Sequence, residues 1–270
     1  MFRRSGYRFA DKNMRKAKTP LATSEDAVLG GRMLLRQPRR GHRFGHDAIL
    51  LAAATPAKAG EHAVDFGAGV GAAGLALASR VPSLALTLAE IDPALVALAT
   101  DNIGRNGFAE GVRAVTLDVT AGARGFAAAG LSPGSAARVL MNPPFHDPAT
   151  IRSSPDPARR RAHVSAGIAP WLNSAHRLLG AGGTVTLIWR ADRLADLLAA
   201  LARGFGAIAV QPVHPRPDAP AIRVLVCAVK GSRAPLALLP GLVLAGADGR
   251  PSAEAEAVLR HGGALPLANA

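Results

Sequence analysis

The chain has 270 residues, which is enough for one large α/β domain or for two small ones. It carries 32 Lys and Arg residues against 19 Asp and Glu, and the formal net charge of +13 favours polyanionic partners such as nucleic acid, although an Arg-rich base composition would produce the same excess. Its single cysteine excludes an internal disulfide and a multi-cysteine metal site, and no uninterrupted apolar run of about 18 residues indicates a membrane span.

The first 23 residues are basic and show little apolar periodicity, so we expect them to form a mobile leader. Seven cations fall in this segment: Arg3, Arg4, Arg8, Lys12, Arg15, Lys16 and Lys18. An RNA-binding arm and a disordered start explain the leader equally well, whereas the apolar stretch of a secretory signal is missing. A lone cysteine suits a reducing compartment, and we therefore expect a cytoplasmic protein without a membrane partner.

From His62 onward, strand-like and helix-like segments alternate, which is typical of a parallel sheet with crossover helices. The predicted parallel strands are Ala63–Phe66, Leu84–Ile91, Val112–Asp118, Arg138–Met141 and Thr184–Trp189. The predicted helices are Ala72–Arg80, one from Pro93 to near Gly107 with Asp92 as its N-cap, one around Trp171 that ends at Gly180, and one capped by Asp192 that ends at Gly204.

Two further strands, Ala207–Val213 and Ile222–Lys230, are joined by a link that is too short for a crossover helix. They must therefore pair antiparallel. The fold class that follows is α/β: a seven-stranded, mostly parallel sheet with a C-terminal antiparallel hairpin and helices on both faces. We expect residues 24–232 to form one domain, residues 233–270 to be an extension packed on it, and Asp147–Pro157 to be a loop over the site.

A glycine-rich turn, Gly67-Ala68-Gly69-Val70-Gly71, joins the first parallel strand to its helix and follows the acidic Asp65. Gly67, Gly69 and Gly71 permit a tight turn against which a ligand can lie on bare backbone. A dinucleotide would place a pyrophosphate at this helix N-terminus. An acidic residue before the glycines instead suits an ammonium group, which favours S-adenosyl-L-methionine.

Two further carboxylates are predicted at the ends of the next strands. Glu90 ends the second strand, about 20 residues after the turn, where a carboxylate can accept both hydroxyls of a ribose. Asp118 ends the third strand, where it can accept the exocyclic amine of an adenine. Because the carboxyl ends of parallel strands form one edge of a sheet, these side chains predict a ligand crevice there.

The fourth strand ends in Asn142-Pro143-Pro144-Phe145. An amino group on a heteroaromatic ring is a poor nucleophile because its lone pair is conjugated with the ring. The side-chain oxygen of Asn142 and the main-chain oxygen of Pro143 can each accept one N–H, while the prolines hold the carbonyl still. Phe145 offers a flat face on which the ring can stack. The segment therefore predicts methyl transfer to a planar nitrogen.

These features resemble the amino-methyltransferases that carry Asn-Pro-Pro-aromatic, and among them the tRNA1(Val) adenine-N6 methyltransferase family. The resemblance covers residues 24 to 263 and includes the segment Arg43–Leu51 and the tail from Arg223 to Leu259. It implies a Rossmann-like class I methyltransferase fold that binds S-adenosyl-L-methionine. In such enzymes a segment of this kind closes over the methionine end of the cofactor, with Phe44 and Asp47 as contacts. Phe145 stands where the motif frequently has Tyr, so stacking is kept and a hydroxyl contact is lost.

Other residues allow two interpretations each. Arg159, Arg160 and Arg161 follow the predicted active-site loop and would either grip tRNA phosphates or form an exposed helix start. Arg216 and Arg223 on the final hairpin carry the same ambiguity. His46 would be a cofactor contact or a polar residue at a helix start. Trp171 and Cys227 are predicted to be core residues without a chemical role.

The leading hypothesis is N6 methylation of an adenine in tRNA, by a monomer or a weak homodimer that binds the RNA. The same chemistry would suit the N2 of guanine in ribosomal RNA or the amide nitrogen of a protein glutamine. From other classes, a non-catalytic RNA-binding module and a dehydrogenase are the alternatives. A binding module has no need of Asp65, Glu90 and Asn142, and a dehydrogenase would have to bind NAD.

Overall fold

A computed structural model describes residues 21–41, 43–144 and 167–269 of the chain. Its strands are β1 (Thr23–Val28), β2 (Met33–Pro38), β3 (His62–Phe66), β4 (Ala85–Glu90), β5 (Val112–Thr116), β6 (Ala136–Met141), β7 (Leu179–Arg190), β8 (Phe205–His214), β9 (Arg223–Lys230), β10 (Ala237–Leu238) and β11 (Leu242–Val243). Its α-helices are α1 (His46–Ala54), α2 (Ala72–Arg80), α3 (Pro93–Arg105), α4 (Ala123–Ala128), α5 (Ala169–Leu178), α6 (Leu194–Leu201) and α7 (Ala253–Leu259).

One mixed sheet, with the strand order β10-β8-β9-β7-β6-β3-β4-β5, organises the molecule. β3, β4, β5, β6 and β7 are parallel, and β9 is antiparallel to both β7 and β8. This arrangement confirms the predicted fold class and the antiparallel pairing of the last two predicted strands. The structure adds two strands of two residues each, β10 and β11, which both pair parallel with β8.

The sheet is buried on both faces, and two apolar clusters fill the space under the helices. In β3 the side chain of Ala63 joins one cluster, whereas Val64 and Phe66 join the other, as the two-residue period of a strand requires. The helices α1, α2, α3 and α7 contribute to the first cluster, and α4, α5 and α6 contribute to the second. Helices therefore cover both faces, as predicted.

The ends of two helices test the capping predictions. Asp92 accepts a hydrogen bond from the Ala94 N–H at 2.8 Å and Pro93 follows it, which confirms the predicted N-cap of α3. The predicted cap at Asp192 is wrong. Asp192 lies in a short 3₁₀ turn before α6 and accepts two hydrogen bonds from the Arg190 guanidinium, whose charge outcompetes the backbone N–H groups.

The hairpin β1–β2 and the helix α4 were not predicted from the sequence, whereas residues 233–270 were expected to pack on the domain. A separate antiparallel hairpin, β1–β2, precedes α1 and pairs residues 23–28 with residues 33–38. Near the other terminus, α7 and the strand β11 bring Leu242, Val258 and Leu265 into the cluster beneath α1. Most of the predicted leader and all of the predicted loop Asp147–Pro157 lie outside the described residues. Among the helices that the structure describes, none is long and apolar enough to cross a membrane.

Candidate functional site

The side chains proposed for ligand binding meet at the carboxyl edge of the central strands. Asp65 lies in β3, Glu90 ends β4, Asp118 follows β5 and Asn142 follows β6. Because β6, β3, β4 and β5 are consecutive neighbours in the sheet, these four residues lie along one edge of it, where we expect the ligand crevice. The sequence placed all four at strand ends, and the structure brings them to one edge.

The glycine-rich turn crosses this crevice between β3 and α2. Its Gly67 and Ala68 N–H groups donate to the Ala89 carbonyl at 2.8 and 3.1 Å, and its Gly69 N–H donates to Glu90 Oε2 at 2.9 Å. The turn is therefore pinned to the end of β4. Gly67, Gly69 and Gly71 all have positive φ, at 68°, 57° and 90°.

The first two glycines of the turn are required for different reasons. A Cβ at Gly67 would lie 2.7 Å from the Cη2 atom of Trp171, so the indole ring of α5 packs directly on this backbone. A Cβ at Gly69 would meet no described atom within 4 Å. Gly67 is thus constrained by packing, whereas Gly69 borders open space in which a ligand can lie.

Asp65 lies beneath the turn with an exposed fraction of only 2%. Its Oδ2 accepts a hydrogen bond of 2.9 Å from the Gly74 N–H in the first turn of α2. Burial raises the pKa of Asp65 to about 7; the Gly74 hydrogen bond opposes this rise, and the negative charge of Glu90 adds to it. An ionised Asp65 therefore needs a cation nearby, and we expect the ligand to supply it.

Glu90 and Asp118 differ in how much of each carboxylate is exposed. Glu90 is 8% exposed, and its two oxygens accept hydrogen bonds from Gly69 N–H and Asp92 N–H, each at 2.9 Å. Asp118 is exposed, and its Oδ1 accepts from the N–H and the hydroxyl of Thr120. Ile91, directly after Glu90, is an apolar side chain that is 51% exposed, and it was not among the predicted site residues. We expect it to contact the flat face of a ligand ring.

Asn142 carries an unusual buried atom. Its Oδ1 is shielded from solvent and has no hydrogen-bond partner among the described residues. Such an acceptor is unfavourable unless a donor reaches it. Pro143 is buried and Pro144 is exposed, so the segment passes from the core to the surface at this point. Phe145, the proposed stacking residue, lies outside the described residues.

The N-terminal segment proposed to close over the cofactor is tied to two different parts of the fold. Asp47, in the first turn of α1, forms a half-buried ion pair of 3.0 Å with Arg223 at the start of β9. Phe44 is partly buried, and its N–H donates to Gln37 Oε1. The exposed His46 begins α1, which agrees with the polar helix-start interpretation.

The polar groups of the crevice fit a cationic ligand better than a phosphate. Asp65, Glu90 and Asp118 place carboxylates along one edge of a chain whose net charge is +13. A phosphate at the N-terminus of α2 would meet the charge of Asp65, which already accepts one of the N–H groups of that helix. This argues against a dinucleotide. A ligand with an ammonium group and ribose hydroxyls would satisfy these carboxylates.

The structure describes only some of the residues proposed to bind RNA. Arg159, Arg160 and Arg161 lie outside the described residues. Arg216 is exposed and stands 3.6 Å from Asp218, and Arg223 pairs with Asp47. Cys227 is buried, as predicted, whereas Trp171 is only partly buried, between the cluster that contains Phe126 and the backbone of Gly67.

The chain is similar in sequence and fold to known methyltransferases. The model of the family described as "Methyltransferase small domain" matches residues 43–211. A tRNA1(Val) (adenine(37)-N6)-methyltransferase from Tolumonas auensis is 28% identical over 171 residues, which is 62% of this chain and 68% of that protein.

Two solved structures extend the comparison. A predicted O-methyltransferase, protein Atu636 from Agrobacterium tumefaciens, has a TM-score of 0.69 and 28% identity, and the match covers 81% of this chain and 98% of that chain. TYW2 from Pyrococcus horikoshii, solved with MeSAdo, shares the fold with a TM-score of 0.51 at 14% identity, over 78% of this chain and 72% of that chain.

Proposed function

The chain belongs to the methyltransferase small domain family and uses S-adenosyl-L-methionine, and from that premise we propose that it methylates the exocyclic N6 of an adenine in tRNA. The observation that carries the choice of acceptor is the buried Oδ1 of Asn142. Among the described residues it has no donor, and it lies just past the end of β6, beside the crevice at the ends of β3, β4 and β5. An amino group of the substrate supplies the missing N–H.

The type of side chain favours nitrogen over oxygen as the acceptor of the methyl group. A hydroxyl oxygen becomes a good nucleophile when a base removes its proton, and the amide of Asn142 is not a base. The lone pair of a ring amino group is conjugated with the ring. A fixed hydrogen-bond acceptor on the N–H reduces this conjugation and leaves the lone pair on the nitrogen. The proton then leaves after methyl transfer, when the product nitrogen is cationic.

The remaining residues of the crevice hold and orient the two ligands. S-adenosyl-L-methionine supplies the methyl group from its sulfonium. The sulfur departs as a neutral thioether, so no metal or added base is needed. We assign its ammonium end to the charge of Asp65, its ribose to Glu90 and its adenine to Asp118 and Ile91. Gly69 leaves the room that this placement needs. Phe44 and Asp47 border the methionine end in this proposal.

Two features support RNA, and tRNA in particular, as the substrate. The net charge of +13 attracts a polyanion, and the Tolumonas auensis relative carries the name of a tRNA adenine-N6 methyltransferase. An adenine in a tRNA loop can leave its stack and present N6 to a recessed acceptor such as Asn142. A tRNA substrate also implies a cytoplasmic enzyme.

The test is methylation by the purified protein, with methyl-labelled S-adenosyl-L-methionine and with RNA from cells that lack the gene, so that the target nucleotide is unmodified. Total tRNA, ribosomal RNA and a protein extract are offered separately, and the products are digested and identified by mass spectrometry. We expect N6-methyladenosine in tRNA.

The other products separate the parts of the proposal. Label confined to N2-methylguanosine in ribosomal RNA, or to a glutamine side chain, would refute adenine while keeping a planar nitrogen as the acceptor. Label on a hydroxyl oxygen would refute the role given to Asn142. The variant Asn142→Ala, assayed alongside, shows whether the label depends on this side chain.

A further inference from the structure

The hairpin β1–β2 forms a two-stranded sheet of its own, and the outer edge of β2 is paired by side chains rather than by a strand. Asn106 accepts a hydrogen bond from the Leu34 N–H at 2.9 Å and donates one to the Leu34 carbonyl at 2.8 Å. Asn102 does the same for Arg36, at 2.7 and 3.0 Å. Residues four apart on a helix and two apart on a strand edge both repeat at about 6–7 Å, so the two asparagines match the edge of β2.

Each asparagine makes a third side-chain hydrogen bond: that of Asn106 goes to the Asn102 carbonyl at 2.8 Å, and only that of Asn102 goes to the glycine-rich turn. The Nδ2 of Asn102 donates to the Val70 carbonyl at 3.0 Å, and Val70 lies between Gly69 and Gly71 in the glycine-rich turn. Both hydrogens of the amide are therefore used, one on β2 and one on the turn. The residue is completely buried, so water does not compete for these bonds.

The same hairpin also holds the start of the segment Arg43–Leu51, which we propose closes over the cofactor. Gln37 in β2 accepts the Phe44 N–H at 3.2 Å and donates to Asp26 Oδ2 at 2.8 Å. Arg43 in turn binds both oxygens of Asp26, at 3.0 and 3.1 Å. The hydrogen bond from Gln37, reinforced by Ser24 and Arg43, holds the pKa of Asp26 below its ordinary value. The hairpin is thus linked to the glycine-rich turn by Asn102 of α3, and to the segment Arg43–Leu51 by its own Gln37.

We propose that Asn102 is a positioning residue that fixes the glycine-rich turn against the hairpin β1–β2 and thereby sets the affinity for S-adenosyl-L-methionine. Asn102 does not reach the ligand itself; it holds the carbonyl of Val70, next to the Gly69 backbone on which the ligand lies. The inference rests on the cofactor part of the proposed function and is independent of which nitrogen receives the methyl group.

The matched pair Asn102→Ala and Asn106→Ala tests this role by titration calorimetry with S-adenosyl-L-methionine in the absence of RNA. Each variant loses three side-chain hydrogen bonds, two of them to β2; the third is to the Asn102 carbonyl in Asn106→Ala and to the turn in Asn102→Ala. We expect the Kd to rise about tenfold in Asn102→Ala, the effect of losing one buried hydrogen bond, and to stay within about twofold in Asn106→Ala. Equal Kd values for the two variants would overturn the proposal.

Urea unfolding of both variants identifies the conditions under which each variant is fully folded. Measuring the Kd only under those conditions separates an effect on positioning from an effect on stability. A Kd of Asn102→Ala that returns to the wild-type value under those conditions would also overturn the proposal. Methylation of tRNA is not needed for either measurement, so failure of the RNA assignment leaves the result interpretable.

A measurement on the wild-type protein covers the case in which Asn102→Ala does not fold. Binding of the cofactor to the turn must also stabilise the hydrogen bonds between Asn102 and Arg36, because coupling between two sites is reciprocal. We expect saturation with S-adenosyl-L-methionine to slow amide hydrogen exchange at Arg36 at least threefold more than at Leu34, which pairs with Asn106. Equal slowing at both residues, or none, contradicts the role of Asn102.

Discussion

Replacing Asp65 with Asn removes a negative charge that the folded protein buries under the glycine-rich turn. The two side chains have nearly the same shape, and the Oδ1 of Asn can still accept the Gly74 N–H that Asp65 Oδ2 now accepts. Moving the pKa of a carboxyl from its ordinary 3.8 to about 7 corresponds to about 4 kcal/mol of lost stability once the group is ionised. We therefore expect Asp65→Asn to stabilise the cofactor-free protein at alkaline pH.

The sign of the effect follows from where the proton is bound. Below pH 3.8 the carboxyl is neutral in both the folded and the unfolded chain, and its contribution to stability is fully present. Between pH 3.8 and about 7 the unfolded chain loses the proton while the folded chain keeps it, so the free energy of unfolding falls as the pH rises. The advantage of Asp65→Asn should grow from near zero at pH 4 to about 4 kcal/mol at pH 8.

Urea unfolding of cofactor-free wild type and variant, at intervals from pH 4 to pH 9, measures this difference. Subtracting the two curves cancels the eight histidines, which are common to both proteins. Asp118→Asn is the matched control, since it removes an exposed carboxylate from the same edge of the sheet. A difference for Asp65→Asn that is flat over this range, or a variant that is less stable than wild type at pH 8, would refute the reasoning.

Further substitutions test other parts of the site. Asn142→Ala should lower kcat about a hundredfold or more while the Kd for S-adenosyl-L-methionine, measured by calorimetry, stays within about twofold; a matching loss of cofactor affinity would place Asn142 in the cofactor site instead. Gly67→Ala should lower the free energy of unfolding by about 2–3 kcal/mol because its Cβ meets Trp171, whereas Gly69→Ala should cost about 1 kcal/mol of stability and act mainly on the Kd for the cofactor. Asp92→Ala should destabilise the protein by about 1 kcal/mol in urea unfolding through loss of the α3 cap.

The parallel sheet could be predicted from the sequence because its signals are local. Buried strands are short apolar runs, and the prediction of α2 as Ala72–Arg80 matches its observed bounds. The hairpin β1–β2 could not be predicted in this way. Its first strand has the sequence Thr-Ser-Glu-Asp-Ala-Val, and acidic residues are uncommon in strands. What holds the second strand is a pair of asparagines more than 60 residues away, and no local pattern reports such a contact.

The same distinction applies to the site. The glycines, Glu90 and Asn142 could be located because each follows or ends a strand, and strand ends define the crevice. The ion pair between Asp47 and Arg223 joins residues 176 positions apart, and the burial of Asp65 depends on how α2 sits over β3. Sequence spacing placed Asp65 beside a ligand but did not reveal that its charge acts on the crevice from beneath the turn.

A buried polar atom without a partner does not by itself mark a ligand site, and its position decides what it means. Gln211 Oε1 and Asn142 Oδ1 both lack a hydrogen-bond partner within the described ranges. Gln211 lies inside β8 with an exposed fraction of 1%, where a substrate has no need to reach. Asn142 lies past the end of β6, next to the exposed Pro144, at the edge where Asp65 and Glu90 converge. Among the described residues, Asn142 Oδ1 is unpaired and Asp65 is buried, and the amino substrate and ammonium ligand of the proposed function would remove both costs. Under the proposed function, the stability lost at these two positions is recovered when the ligands bind, which is the pattern expected where a fold has been shaped around ligands.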